Sequence, residues 1–368
     1  MSTSTENIGL VKHASGYEGW ADDMNANFDI VDRATGNIMS MNPVINCDMS
    51  QWQRGDSFTL TGMQCTADRW AASYNNCTVS KQIYNGKSIL RFGRADGETL
   101  LNCLYVGQII DTPNAVKYRG KTITLSWRLR KGSTFSADWL NIAIMSSAVV
   151  NDTYNGSLDL LSGTLVNYAS ITNEISTDFQ TFTVSGTVPE DCNTLSIKIG
   201  YLPNGTASTS EYIKMDWAQI NIEEVALPFT PRDEALELML CQRYFWMPHS
   251  TMPSSADLGT TASQSALWPL GCDYAYIASA HCGGGGGNTQ PLTFPVKMWA
   301  TPTIKFYGNI NSAYSGTTWF QNCEGTESWI VMTPYIVNDK MAILNGPGMT
   351  AGTSAFRQGG VTFDAELY

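Results

Sequence analysis

The segment GKTITLSWRLRK, Gly120 to Lys131, alternates strictly: Ile123, Leu125, Trp127 and Leu129 interleave with Thr124, Ser126, Arg128 and Arg130. One apolar and one polar phase at period two is the pattern of a half-buried antiparallel strand. The same pattern recurs at Asp68–Tyr74, Ser88–Arg94, Leu140–Ser146, Phe179–Val188, Leu195–Tyr201 and Tyr212–Glu224. Turn signals at Asn85-Gly86, Asn155-Gly156 and Pro203-Asn204-Gly205 separate these runs. No helix-length periodicity interrupts them, so residues 42–230 are expected to form an antiparallel, jelly-roll-like β-sandwich.

On the C-terminal side, Thr230-Pro231-Arg232-Asp233 predicts a helix start with Thr230 as cap and proline in the first turn. Leu236, Leu240 and Tyr244, with Met239 and Arg243 beside them, are its expected packed face, within a linking helix over 231–249. The Ser/Thr/Gly-rich run Ser250–Ser265 reads as loop. Residues 250–368 return to strand and turn and predict a smaller β domain. Its five consecutive glycines, 283–287, suit a flexible loop or a close contact.

On the N-terminal side, Trp20, Met24, Phe28 and Val31 fall at i, i+4, i+8 and i+11 and predict one helix with one apolar stripe, inside an N-terminal segment of residues 1–41. A helix this short is marginal alone in water, so its stripe is expected to dock on its own domain, a second copy or a larger assembly. The chain is therefore read as mainly β, with two short helical elements.

The 368 residues carry a formal net charge of −11 and only 15% charged residues, with 11 Trp and 16 Tyr. That balance excludes a nucleic-acid binder, which needs a basic face. The opening MSTSTENIGLVKH has neither a basic n-region nor an apolar h-region, so no signal peptide and no membrane insertion are expected. The nine cysteines are scattered without a CxxC pair and are expected to be mostly buried thiols.

Chemistry-bearing patterns are sparse. His13, His249 and His281 have no metal-ligand spacing, and Cys272, His281 and Cys282 lack a fourth ligand. No GxSxG, P-loop or GxGxxG opening a helix is present. Asp22 and Asp23, like Glu223 and Glu224, are neighbours that point apart. No catalytic residue, metal or cofactor is assigned, and the chain is read as not an enzyme. The candidate binding residues are aromatic, because sugar C–H faces stack on aromatic rings. Trp70, Trp127 and Trp217 are expected in the core. Trp139 opposes the phase of Leu140, Ile142 and Ile144, and Tyr212 opposes Ile213 and Met215, which makes both candidates for exposed platforms or for interface residues. In the last domain Tyr274, Tyr276, Tyr314 and Trp319 sit among small polar residues, either as a recognition surface or as a subunit interface.

Several segments also resemble one family. Gly19-Trp20-Ala21-Asp22-Asp23-Met24-Asn25-Ala26-Asn27-Phe28 is similar to a segment near the start of many bacteriophage tail and appendage proteins. Ser50-Gln51-Trp52-Gln53-Arg54-Gly55 and Thr66-Ala67-Asp68-Arg69-Trp70 resemble the opening of carbohydrate-binding-module-like sandwiches in phage tail fibres. Leu240-Cys241-Gln242-Arg243-Tyr244-Phe245 resembles the helix after those sandwiches, and Ala300-Thr301-Pro302-Thr303 and Phe363-Asp364-Ala365-Glu366-Leu367 resemble the C-terminal domain of the same proteins. The resemblance implies a tail fibre or receptor-binding protein of the virion, made in the host cytoplasm and homotrimeric. It would attach to a host surface glycan or protein, with the 1–41 segment anchoring it to other tail or capsid proteins and the 250–368 domain as the tip. The alternative is a structural capsid decoration or baseplate protein without a receptor role.

Overall fold

The alternation of residues 120–131 sets the inside and the outside of one sheet. In the computed structural model, residues 42–73, 76–248, 276–281, 288–289, 292–307, 318–323, 326–331, 333–345 and 354–366 are described, with short pieces of the first 41. Among those pieces, β1 (Thr3–Ser4) pairs with β2 (Val11–Lys12). Residues 22–24, 26–28 and 31 are helical, and Met24, Phe28 and Val31 are 45%, 59% and 40% exposed. Trp20 lies outside the described residues.

Twelve strands build the sandwich: β3 (Ser57–Thr59), β4 (Gln64–Cys65), β5 (Ala71–Ser73), β6 (Cys77–Tyr84), β7 (Lys87–Arg94), β8 (Leu104–Ile110), β9 (Thr122–Lys131), β10 (Ala137–Ser147), β11 (Thr164–Ser170), β12 (Gln180–Thr187), β13 (Thr194–Pro203) and β14 (Ile213–Ile222). They form two six-stranded sheets, ordered β11-β10-β13-β8-β5-β4 and β12-β9-β14-β7-β6-β3. Ile123, Leu125, Trp127 and Leu129 of β9 are fully buried between the sheets, and Trp70, just ahead of β5, meets Trp127 at 5.5 Å between ring centroids. Truncating either indole would cost roughly 3–5 kcal/mol.

Two sequence expectations are corrected here. Trp217 is not core: a bulge between Met215 and Trp217 moves it to the outer phase opposite Arg128, where it stacks on Phe229 at 4.6 Å. The linking helix runs Glu234–Gln242, and its cap is Asp233, whose carboxylate accepts from the Ala235 and Leu236 amides. Of its expected packed face, Tyr244 is buried and Leu240 packs beside it, but Leu236 is displaced from the face. Glu237 and Cys241 are buried while Leu236 and Met239 are 39% and 49% exposed. The reason is charge: Glu237 is held by Arg232 and accepts the Asn46 amide, and Arg232 also donates to the carbonyls of Asn42 and Val44.

Beyond the helix, β15 (Phe245–Trp246), β16 (Tyr276–His281), β17 (Asn288–Thr289), β18 (Leu292–Thr293), β19 (Thr303–Tyr307), β20 (Thr318–Cys323), β21 (Thr326–Val331), β22 (Thr333–Val337), β23 (Met341–Asn345) and β24 (Ser354–Asp364) join in one sheet centred on β24. Phe294, Met298, Val361 and Phe363 lie in its core.

This sheet is tied to the sandwich by a buried polar junction. Arg69 pairs with Glu366 and donates to the Ile109 carbonyl at 2.7 Å. Arg54 reaches Asp68 at 3.3 Å, Asp364 at 3.4 Å and Glu366 at 3.5 Å. The guanidinium of Arg69 lies over the Tyr244 ring at 3.6 Å, and that of Arg54 over the Phe245 ring at 3.9 Å. The Tyr244 hydroxyl donates to Asp111 at 2.9 Å, and Gln53 donates to Asp68 at 2.8 Å. Burial pushes the Asp68 carboxyl up from its ordinary value against the opposing pull of Arg54 and Gln53. The backbone of Arg69 is left-handed, at φ 71°, a strained setting for a non-glycine residue. Cys47, Cys65, Cys77, Cys192 and Cys241 are buried unpaired thiols.

Removing one partner of such a pair strands a buried charge and costs about 3–5 kcal/mol, whereas replacing both can be nearly neutral. Glu366→Ala is therefore expected to lower stability by about that amount in urea denaturation, and the double variant Arg69→Met/Glu366→Leu to recover most of it. A loss of under about 1 kcal/mol for the single variant would show the junction to be dispensable.

Candidate functional site

The outer face of the β12-β9-β14-β7-β6-β3 sheet divides into a covered end and an open end. Residues 223–230 fold back over one end. Gln219 donates to the Leu227 and Pro228 carbonyls and accepts the Thr230 amide, and Asn221 donates to the Val225 carbonyl. Thr124 and Ser185 donate to the carbonyls of Glu223 and Glu224. The Trp217–Phe229 stack closes the margin of this strap. Thus Ser126, Gln219 and Asn221 are buried although they lie on the polar phase.

At the other end, the β6–β7 hairpin bends across the sheet. Strand β7 pairs with β14 only through Leu90, Arg91 and Phe92. Beyond that point β7 leaves the β14 ladder, and Tyr84, next to the Asn85-Gly86 turn of the hairpin, lies 4.8 Å from Phe179, which immediately precedes β12. In a flat sheet the β12 and β6 backbones would stand about 19 Å apart, at about 4.8 Å per strand. The aromatic contact therefore bridges a trough. Ile89, on the outer phase with Arg91, is fully buried in its floor.

Cations and rings line this trough. Arg130 lies 5.0 Å from the Tyr84 ring and 4.8 Å from the Phe179 ring, and Arg128 lies 5.0 Å from Phe179 while pairing with Asp216. Arg91 and Lys214 stand 4.8 and 5.0 Å from the ring of Tyr212. Tyr84, Phe179 and Tyr212 are each half-buried. Tyr212 is positioned from behind: Glu211 beside it forms a fully buried two-pronged pair with Arg94, both bonds 2.7 Å, and Arg94 also donates to the carbonyls of Glu98, Leu100, Asn204 and Gly205. Gly93 and Gly132 flank it, and Gly132 donates to the Tyr212 carbonyl at 2.8 Å.

Trp139 occupies the other sheet. It lies on the outer phase of β10, as its alternation predicts, half-buried and 6.3 Å from Tyr105, whose ring crosses Gly200. The 154–160 region packs onto the rest of that face through Tyr154, Leu158 and Leu160. Trp139 and Tyr212 are thus on opposite outer faces and are not brought together. Tyr276 opens β16 and Trp319 lies in β20, both strands adjoining β24. Tyr274, Tyr314 and the glycines 283–287 lie outside the described residues. Sequence reasoning misses Tyr84, Phe179 and Lys214. The available signal is the outer phase of β9 and β14, on which Arg128, Arg130 and Lys214 recur. Among the described residues, no group of three His, Cys, Asp or Glu side chains is placed to hold a metal.

No family model and no curated protein sequence matches the chain. Solved structures do. A CBM4 structure is 19% identical over 46% of this chain and 97% of its own, with a TM-score of 0.29. TmCBM61 in complex with beta-1,4-galactotriose is 11% identical over 50% of this chain and 99% of its own, with a TM-score of 0.30. The enzymatically active domain of bacteriophage CBA120 tailspike protein 4 is 10% identical over 50% of this chain but only 21% of its own, with a TM-score of 0.26.

A Cβ on Gly132 would overlap the Ser210 carbonyl oxygen and stand 3.0 Å from Tyr212 Cε1, whereas one on Gly156 would meet nothing within 4 Å. Gly132→Ala is expected to cost about 1–3 kcal/mol by overpacking and to shift the Tyr212 ring resonances. Gly156→Ala should be neutral or slightly stabilising. Equal melting temperatures for the two variants would contradict this placement of Tyr212.

Proposed function

We propose that the chain is a non-enzymatic glycan-binding protein of a bacteriophage virion appendage, with the trough of the sandwich as its sugar site. The observation that carries the proposal is the trough itself. The partly exposed rings of Tyr84 and Phe179 lie beside Arg130, and that of Tyr212 lies beside Arg91 and Lys214, which stand in register with Arg130 on neighbouring strands. Sugars are recognised by such a combination, because ring C–H faces pack on aromatic surfaces while donors read the hydroxyls. Binding without turnover fits Asp216, the carboxylate between β9 and β14, which is tied to Arg128. Hydrolysis needs two carboxyl groups facing one bond.

The virion assignment draws on the sequence resemblance and on the exposed Met24/Phe28/Val31 stripe, a surface suited to docking on another virion protein. In this reading the protein is a homotrimer, made in the host cytoplasm, whose several modest sites act together at a host surface. A structural decoration or baseplate role is the competing reading, and it requires no occupied trough.

Titration of the purified protein with a panel of polysaccharides tests the site. Tyr84→Ala, Phe179→Ala and Tyr212→Ala are each expected to weaken binding roughly tenfold while melting within a few degrees of the parent. If Trp139→Ala abolished binding and Tyr212→Ala did not, the site would move to the opposite sheet. Truncation of residues 1–41 tests the anchor. The sandwich begins with Asn42, whose side chain already bonds the Ala218 carbonyl and the Ile220 amide. The truncated protein should therefore melt and bind glycan as before but fail to enter virions. Unfolding on truncation would make the segment part of the core instead.

A further inference from the structure

The trough gathers positive charge in a chain whose net charge is −11. Arg91 of β7, Lys214 of β14 and Arg130 of β9 sit side by side: Lys214 is in register with both Arg91 and Arg130. The nearby acids are committed elsewhere, Asp216 to Arg128 and Glu211 to Arg94, and Asp178 beside Phe179 is exposed to solvent. Among the described residues, no ion pair joins Arg91, Arg130 or Lys214 to a carboxylate. Among the described residues, Arg91 donates to Thr78 Oγ1 (3.4 Å) and the Thr209 carbonyl (3.0 Å). The Nε of Arg130 is buried without a hydrogen-bond partner. Partial burial, together with Arg130 and Arg91, holds the Lys214 ammonium below its ordinary pKa.

Three neighbouring cations without a counter-ion raise the energy of the unliganded protein. An arrangement of this kind is resolved by an anion that accepts from all three. The rings around them add a requirement, since the anion's carrier must also pack against Tyr212 and the Tyr84–Phe179 bridge. A free inorganic anion meets only the first condition. A sugar bearing an acidic group meets both.

We propose that the trough is selective for acidic polysaccharides, with the carboxylate of a uronic-acid-type residue held between Lys214, Arg91 and Arg130. This rests on the reading of the trough as a glycan site and specifies its substrate class. The overall negative charge repels polyanions, so selectivity for them has to come from this local cluster.

The test is affinity electrophoresis and calorimetry of the full chain with polygalacturonate, alginate and hyaluronan, against the neutral polymers dextran, pullulan and galactan. The expected result is binding of at least one carboxylated polymer, weakened roughly tenfold when salt rises from about 0.05 M to about 0.5 M as the ions screen the contact. Lys214→Met should abolish that binding while leaving the melting temperature unchanged or raised, because Lys214 is crowded by like charges in the unliganded protein. Arg91→Gln should weaken it in the same direction. Retention of neutral polymers alone, or carboxylated-polymer binding indifferent to Lys214→Met, would overturn the acidic-glycan proposal and leave the glycan reading standing. Retention of none of the six polymers would count against the glycan reading and the inference together. Reduced binding by a Lys214→Met protein that also melts several degrees lower would assign the lysine a structural role and overturn the proposal.

Discussion

Two guanidinium groups, those of Arg54 and Arg69, are sealed between the sandwich and the C-terminal sheet, and the arrangement of the chain depends on neutralising them. A buried charge is tolerated only when paired and hydrogen-bonded. The partners come from distant parts of the chain: Asp68 from the turn before β5, Asp364 and Glu366 from the end of β24, and the rings of Tyr244 and Phe245 from just after the linking helix. Asp68 meets Arg54 within the sandwich, but Arg69 gains its carboxylate, Glu366, only when the C-terminal strand lies against the sandwich. The same rule operates one layer away, where buried Glu237 on the helix is met by Arg232 and by the Asn46 amide. The charges thus fix the orientation of the helix and of β24 in a way that apolar packing alone, being non-directional, would not.

This junction also gives a physical account of four of the segments that carry the sequence resemblance. Gln53 and Arg54, Asp68 through Trp70, Cys241 through Phe245, and Asp364 with Glu366 are far apart along the chain, yet they meet at one place. Their residue types are demanded by the junction: a guanidinium for a forked pair, a carboxylate for its mate, and an aromatic face to cover each cation. These segments form a motif of assembly between two folded parts of one chain. The residues that line the trough belong to none of them.

Much of the sandwich is legible in the sequence because alternation is a local signal. β9 can be read from Ile123 through Leu129 alone, and the outer phases of Trp139 and Tyr212 come from the same rule. The rule fails where the backbone departs from strict period two. Counting from Met215 assigns Trp217 to the core, and a bulge of one residue reverses its face. The helix departs from expectation for a different reason. Counting apolar residues chooses Leu236 for burial, but the buried position goes to Glu237 because its partner Arg232 has to be sealed with it. Tyr84 and Phe179 are beyond sequence reasoning, since their contact depends on how far a hairpin bends across a sheet, and no pair of residues encodes that locally.

The two polar centres obey opposite logic, and that contrast separates scaffold from site. At the junction every guanidinium has carboxylates within reach and an aromatic cover, the guanidinium groups are almost wholly buried, and a strained backbone at Arg69 is held in place by the pairing around it. In the trough, Arg91, Lys214 and Arg130 stand beside one another without a carboxylate partner, partly exposed, beside rings that are themselves partly exposed. A fold seeking only stability would replace Lys214 with an acid, because Arg91 and Arg130 flank it in register. A third cation there costs stability, and the acidic-glycan site proposed above would account for that cost. The rigid Arg94–Glu211 pair immediately behind Tyr212 is what makes this bearable, because it fixes the backbone that carries the crowded lysine.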